Sequence, residues 1–282
     1  MPVLLRLLSH LPLSWLHALG AALGWIVWWC SPRHRTHVRA NLRQAFGTVD
    51  PALLRAAIAE AGRQVLEALY VWCRPLEDVR RHVLRFEGRE LFEAARERGQ
   101  SVLMITPHLG GFEVCLQAAA AVTPLTVLYR PPRKRAMREV VGWRARPPVS
   151  VAPTDVTGVR KLARALRAGE IAAILPDQAP RAGEGLWVPF FGRPAWTMTL
   201  AARLSDSPDV CVLMCWGERV AGKGWIVRAR PPAEPLEGDV AARCAVINRE
   251  VERMVRECPA QYLWNYERYK VPRGVPAPEA SS

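Results

Sequence analysis

Lysine is scarce: it supplies only four of the 39 basic residues, at positions 134, 161, 223 and 270. The rest is arginine, which grips phosphate and carboxylate bidentately where lysine acts as a point charge. A GC-rich genome also enriches arginine. The seven cysteines, at 30, 73, 115, 211, 215, 244 and 258, contain no CxxC. Their odd number and apolar surroundings read as buried thiols in a reducing compartment rather than a metal or disulfide framework. No GxSxG elbow is present, which argues against a covalent acyl-enzyme, and no HExxH is present, which argues against a zinc site. Helix-turn-helix, finger and RNA-binding signatures are absent, so nucleic acid is not an expected partner. There is no internal repeat, and from Leu7 to Pro32 there is no Asp, Glu, Lys or Arg.

The 282 residues are half hydrophobic, enough for a sizeable core. The formal charge of +13 favours anionic partners, and eleven tryptophans suit a membrane interface. The charge-free segment centres on Leu13–Cys30, LSWLHALGAALGWIVWWC. As a helix its 18 residues would reach ~27 Å, just short of a hydrocarbon core. Trp25, Trp28 and Trp29 cluster at one end, and Arg33, Arg35, Arg39 and Arg43 follow. The positive-inside rule then puts everything after residue 32 in the cytoplasm. A cleaved signal peptide, a buried core helix (suggested by His17 and the small residues Gly20, Ala21, Ala22 and Gly24) and an interfacial helix compete with an anchor.

Residues 33–46 and 50–73 read as helices, the second opened by Asp50-Pro51. Short apolar runs follow at Ser101–Thr106, Leu125–Tyr129, Val149–Ala152, Ile171–Leu175, Val210–Trp216 and Trp225–Arg230. Helical patterns lie near 88–99, 112–122, 133–143, 155–168, 195–206 and 239–257. This alternation predicts an α/β fold, a central mixed sheet flanked by helices on both faces. The expected organisation is an N-terminal membrane-associated helix over 1–32, a catalytic domain over 33–271 and a disordered tail over 272–282.

Three blocks carry chemistry. In MITPHLGGFEV, residues 104–114, a strand ends at Pro107, and Gly110 and Gly111 permit unusual angles and close approach of a substrate. His108 and Glu113 are five apart, ~140° around a helix, so they do not share a helix face. With His108 on the turn and Glu113 in the first helical turn, the carboxylate can reach back to fix the imidazole tautomer. With no nucleophile nearby, the substrate supplies it. The second block, residues 128–148, gathers Arg130, Arg133, Lys134, Arg135, Arg138, Arg144 and Arg146. Arg130, at a strand end before two prolines, is the more site-like; Arg133, Lys134 and Arg135 read as a solvated face. In the third, residues 174–197, Asp177 and Gln178 follow a strand, where α/β proteins place functional groups. The apolar run from Trp187 to Gly192 is an acyl-chain groove or an ordinary buried hairpin.

Together and in this order, the blocks resemble the late acyltransferases of lipid A biosynthesis, the lauroyl and myristoyl transferases of Gram-negative bacteria. HLGGFE matches the family's HxxxxE block, DQAPRAGEGLWVPFFG its DQ–Gly–VPFFG block and YLWNYERYK its C-terminal block. The resemblance implies a glycerolipid-acyltransferase-like fold and a protein of the bacterial inner membrane with its catalytic domain on the cytoplasmic side. It implies acyl transfer from acyl carrier protein to a hydroxyl of a phosphorylated glycolipid, with no metal and no cofactor. His108 and Glu113 carry over as the catalytic dyad. Gly110, Gly111, Arg130, Arg144, Asp177 and Gln178 are expected to bind substrate. Pro147-Pro148 departs from the family's usual sequence, so Arg146 competes with Arg144 for the functional arginine. The oxyanion would be held by backbone N–H groups near Gly110-Gly111 or by an arginine. A lysophospholipid or other glycolipid acyltransferase is the nearest alternative. A non-catalytic basic membrane-binding protein is the alternative from another class.

Overall fold

The computed structural model describes residues 2–130 and 142–278. Most of the pattern expected near 133–143, with Arg133, Lys134, Arg135 and Arg138, lies outside them, as do the last four residues of the expected tail. The N-terminal third is helical: α1 (Pro2–Ser9), α2 (Leu13–Cys30), α3 (Pro32–Phe46), α4 (Pro51–Cys73) and α5 (Leu76–Arg81). Ser31 and Asp50 accept the first free N–H groups of α3 and α4, and proline occupies the first turn of each.

The remainder alternates. β1 (Val83–Glu87), α6 (Arg89–Glu97), β2 (Ser101–Ile105), α7 (Phe112–Ala120) and β3 (Leu125–Tyr129) precede β4 (Val149–Pro153), α8 (Val156–Arg167) and β5 (Ile171–Ile174). Then come β6 (Gly185–Phe190), β7 (Arg193–Met198), α9 (Leu200–Leu204), β8 (Val210–Val220), β9 (Gly224–Arg230) and α10 (Val240–Glu257). Seven strands form one sheet in the order β1-β9-β8-β2-β5-β3-β4. It is mixed, because β8 and β9 are an antiparallel hairpin while every other neighbouring pair is parallel.

β2 sits at the centre with every residue buried, as a strand covered on both faces must be. Leu103 and Ile105 join a core with α3, α8, α9 and α10, while Val102 and Met104 join one with α5, α6 and α7. Trimming Leu103 to Ala would cost about 2–5 kcal/mol. The stretch near 195–206, expected to be helical throughout, opens instead as a strand. β6 and β7 pair as a separate hairpin, so helix begins only at Leu200. Of the tail expected to be disordered, Val275 and Pro276 touch this hairpin: Trp187 Nε1 donates to the Pro276 carbonyl at 3.0 Å and Val275 is buried beside Trp196.

The segment expected as a separate anchor packs against the rest of the chain. Gly20 and Gly24 of α2 lie so close to α4 that a Cβ on Gly62 would sit 1.9 Å from the Gly20 carbonyl. His17 is buried between the elements, its Nδ1 accepting the Gly222 N–H at 2.9 Å and its Nε2 3.4 Å from Glu67. Glu67 and Glu60 both hold Arg219 of β8, at 2.5 Å each.

Candidate active site

The site follows from strand register. β2 and β5 are parallel neighbours with Ile105 opposite Ile174, and both leave the sheet at the same edge. Three residues past each strand end lie His108 and Asp177, which therefore meet. Thr106 still pairs, its N–H donating to the Ile174 carbonyl at 3.0 Å, and Pro107 then turns the chain away.

Asp177 grips His108 twice. The His108 backbone N–H donates to Oδ2 at 3.0 Å, and ring Nδ1 lies 2.8 Å from Oδ1. Nδ1–H donation to the carboxylate leaves Nε2 as the acceptor, and the Gln178 amide lies 3.2 Å from it. Burial alone would raise the Asp177 carboxyl; the charge of His108 and its ring and backbone hydrogen bonds hold it below the usual aspartate value. The histidine side chain remains 20% exposed.

The contact expected between Glu113 and the imidazole is taken by Asp177. Glu113, in the first turn of α7, lies 2.9 Å from Arg144 Nε, and both are buried. Arg144 Nη2 has no hydrogen-bond partner among the described residues. Arg146 points elsewhere, donating to the Val71 carbonyl at 2.5 Å and to that of Arg74 at the end of α4. Burial lowers its guanidinium pKa.

The glycines serve the protein's own packing. Gly110, at φ +54°, lies where a Cβ would come within 2.0 Å of the Gly217 carbonyl, and a Cβ on Gly111 would strike the Trp225 ring. Their N–H groups donate to the carbonyls of Gln261 (3.0 Å) and Gly217 (2.7 Å), so neither is free for an oxyanion.

The C-terminal block straps the site. The Leu263 N–H donates to the His108 carbonyl at 3.1 Å, and Leu109 and Tyr262 form an antiparallel bridge. Tyr262 is buried near the Asp177 carboxylate; burial, then that charge, push its phenol well above the usual range. Tyr266 accepts the Ala179 N–H at 2.9 Å, and buried Arg268 donates to the Trp196 carbonyl and Thr197 Oγ1 of the hairpin. Sequence reasoning gave these residues no role; the four aromatics and the arginine of YLWNYERYK were the only signal.

His108, Glu113, Arg130, Arg144 and Gln178 all line one cavity of about 830 Å³. Its apolar wall includes Trp72, Phe112, Leu128, Leu175, Met198 and Leu200. Asp177, Gly110 and Gly111 stand behind this wall. Phe190, Phe191 and Trp196 are core residues of the hairpin and line no part of it, so the run beginning at Trp187 is the buried hairpin rather than the groove. Among the described residues, no serine or cysteine lines the cavity and no cluster of three His, Cys, Asp or Glu could hold a metal.

The family described as bacterial lipid A biosynthesis acyltransferase matches residues 2–271. The lipid A biosynthesis lauroyltransferase of Escherichia coli K12 is 24% identical over 282 residues, covering 97% of this chain and 91% of that protein. The palmitoleoyltransferase of the same strain is 25% identical over 269 residues, covering 93% and 87%. A lipid A biosynthesis acyltransferase of Haemophilus influenzae is 23% identical over 273 residues, covering 92% and 83%.

Proposed function

Because the chain belongs to the bacterial lipid A biosynthesis acyltransferase family, we propose that it moves a fatty acyl chain from acyl carrier protein to a hydroxyl of a phosphorylated glycolipid. His108 is the general base. The observation that carries this reading is an imidazole fixed through Nδ1 by a buried aspartate, with its side chain opening on a large, mainly apolar cavity.

Gln178 yields its place at Nε2 to the acceptor hydroxyl. Nε2 takes the hydroxyl proton as the oxygen bonds to the thioester carbon. Charge develops on the thioester oxygen, and Arg144, with a buried N–H to spare, is placed to meet it. The carbon–sulfur bond then breaks and the thiolate recovers the proton from the imidazolium. Asp177 stabilises that imidazolium, and Glu113 acts by holding Arg144 at the cavity wall. The apolar lining takes the acyl chain. Arg130, with Arg160 and Arg203 on the same cavity, suits the acceptor's phosphates. A charge of +13 fits an acidic carrier and the anionic cytoplasmic leaflet of the inner membrane, where we place the protein.

The test is mass spectrometry of membranes carrying wild-type protein or His108→Ala. Each is supplied with acyl carrier proteins loaded with C10 to C16 chains and a tetra-acylated lipid A precursor. A gain of one acyl chain with wild type alone is the expected outcome. Acylation of a lysophospholipid or another glycolipid instead would move the substrate. Folded protein that acylates nothing would return the reading to a basic membrane-binding protein.

A further inference from the structure

Helix α2 is apolar on both sides, and only one side is covered. Leu13, Leu16, His17, Gly20, Gly24 and Trp28 face the protein. The opposite face runs Trp15, Ala18, Leu19, Ala22, Ile26 and Trp29, all exposed. Trp15 and Trp29 are 64% and 71% exposed and Ile26 58%. The spacing keeps these residues on one stripe ~21 Å long at 1.5 Å per residue. No charge interrupts the stripe, a tryptophan stands at each end, and Arg39 and Arg43 of α3 are exposed beyond it. A contiguous apolar patch of this kind marks an interaction surface.

Resting on the membrane placement proposed above, we infer that α2 lies in the plane of an anionic bilayer with this stripe submerged, and that it does not cross. Three contacts hold it to the catalytic domain. The glycine contact leaves no room between α2 and α4. His17 ties α2 to Glu67 and to the β8–β9 turn. α4 in turn reaches the active site, Gln64 Nε2 donating to the Gly110 carbonyl at 3.3 Å. A spanning α2 would carry α4 and that turn into hydrocarbon, with exposed Arg55 and Lys223. Each intramembrane charge costs several kcal/mol. Detaching α2 would instead uncover the Glu67–Arg219 pair. In-plane docking avoids both costs: tryptophans and arginines meet the headgroups while the stripe meets acyl chains. It also puts the lipid surface near the cavity. Trp72 at the end of α4 lines it, and Arg74 beside it donates to the Ser9 and His10 carbonyls just before α2.

The test is depth. Full-length protein carries p-acetylphenylalanine at position 15, 19, 22, 26 or 29, one per variant, coupled to a nitroxide. Each is bound to vesicles of phosphatidylethanolamine and phosphatidylglycerol, and oxygen and nickel accessibilities are read. In-plane docking gives all five labels nearly one depth, about 5–10 Å below the headgroups. A steady sweep from one interface through the centre to the other would overturn it, as would labels shielded from both probes, which would mean a protein partner covers the stripe. Ile26→Glu is expected to weaken vesicle binding at least tenfold with an unchanged melting temperature; undiminished binding would contradict the inference. Acyl transfer measured on the same samples separates the two readings: active protein with a depth sweep loses the placement and keeps the chemistry.

Discussion

Among the described residues, two imidazole–carboxylate pairs have opposite fates. His17 is 2% exposed, and both its ring nitrogens face partners, Gly222 N–H and Glu67. Around it Glu60, Glu67, Arg219 and the Trp225 N–H close a network that ties α2, α4, β8 and β9 together. His108 has the same kind of partner at Nδ1, but its ring lines a cavity, and only an amide side chain stands at Nε2. The residue types are alike, and access separates them. A sealed pair has no substrate to act on and contributes structure, while a pair on a cavity wall can exchange a proton.

This contrast sets distinct outcomes for substitution. His108→Ala is expected to lower acyl transfer by about 10²–10⁴-fold, assayed by chain incorporation, with its melting temperature unchanged. Asp177→Asn should lower turnover by about 10³-fold, because the amide no longer selects the Nδ1–H tautomer. A pH profile should show loss at every pH rather than a shifted optimum. At the sealed pair the readout reverses. Glu67→Ala leaves Arg219 short of charge and should cost about 3–5 kcal/mol in denaturant unfolding. Any refolded fraction should keep its turnover per molecule.

The Glu67 carboxyl shows the same contrast against pH. Burial raises it, but Arg219 and His17 outweigh burial and bring it from an ordinary 4.5 down to about 2. A folded-state value below the unfolded one means this stabilisation is complete above about 4.5 and is lost as pH falls towards about 2. Acid titration of the melting temperature should show that loss, and Glu67→Gln should flatten it. The smallest effect is expected from Tyr262→Phe, which removes a buried polar hydroxyl near the Asp177 carboxylate, worth about 1 kcal/mol, or several-fold in turnover. Its mark is a shifted acidic limb of the rate profile with the melting temperature nearly unchanged. An unaltered limb would make Tyr262 merely structural.

Much of the fold was legible because periodicity reports burial. The fully apolar β2 and β5 and the Asp50-Pro51 start of α4 follow directly from residue type. The hairpin was harder, since Trp196, Thr197 and Met198 suit a helix or a strand, and pairing with Gly185–Trp187 decides between them. At the candidate site the sequence singles out His108, Glu113, Arg144, Asp177 and Gln178, which lie in or beside one cavity, but it does not show how they pair. Proximity in sequence favoured Glu113 as the partner of His108. Strand register, which a single sequence does not display, delivers Asp177 from 69 residues away. The glycines misled for a similar reason: the backbone that approaches them, Gly217, is remote in the chain.

The most direct test of the account is a single-turnover rate for acyl transfer at saturating donor and acceptor, with wild type, His108→Ala and Asp177→Asn compared at matched folded concentration. A large loss in both variants is expected, with no burst of enzyme-bound acyl group and unchanged donor binding. Near-wild-type single-turnover rates in His108→Ala would contradict it and move the chemistry away from this imidazole.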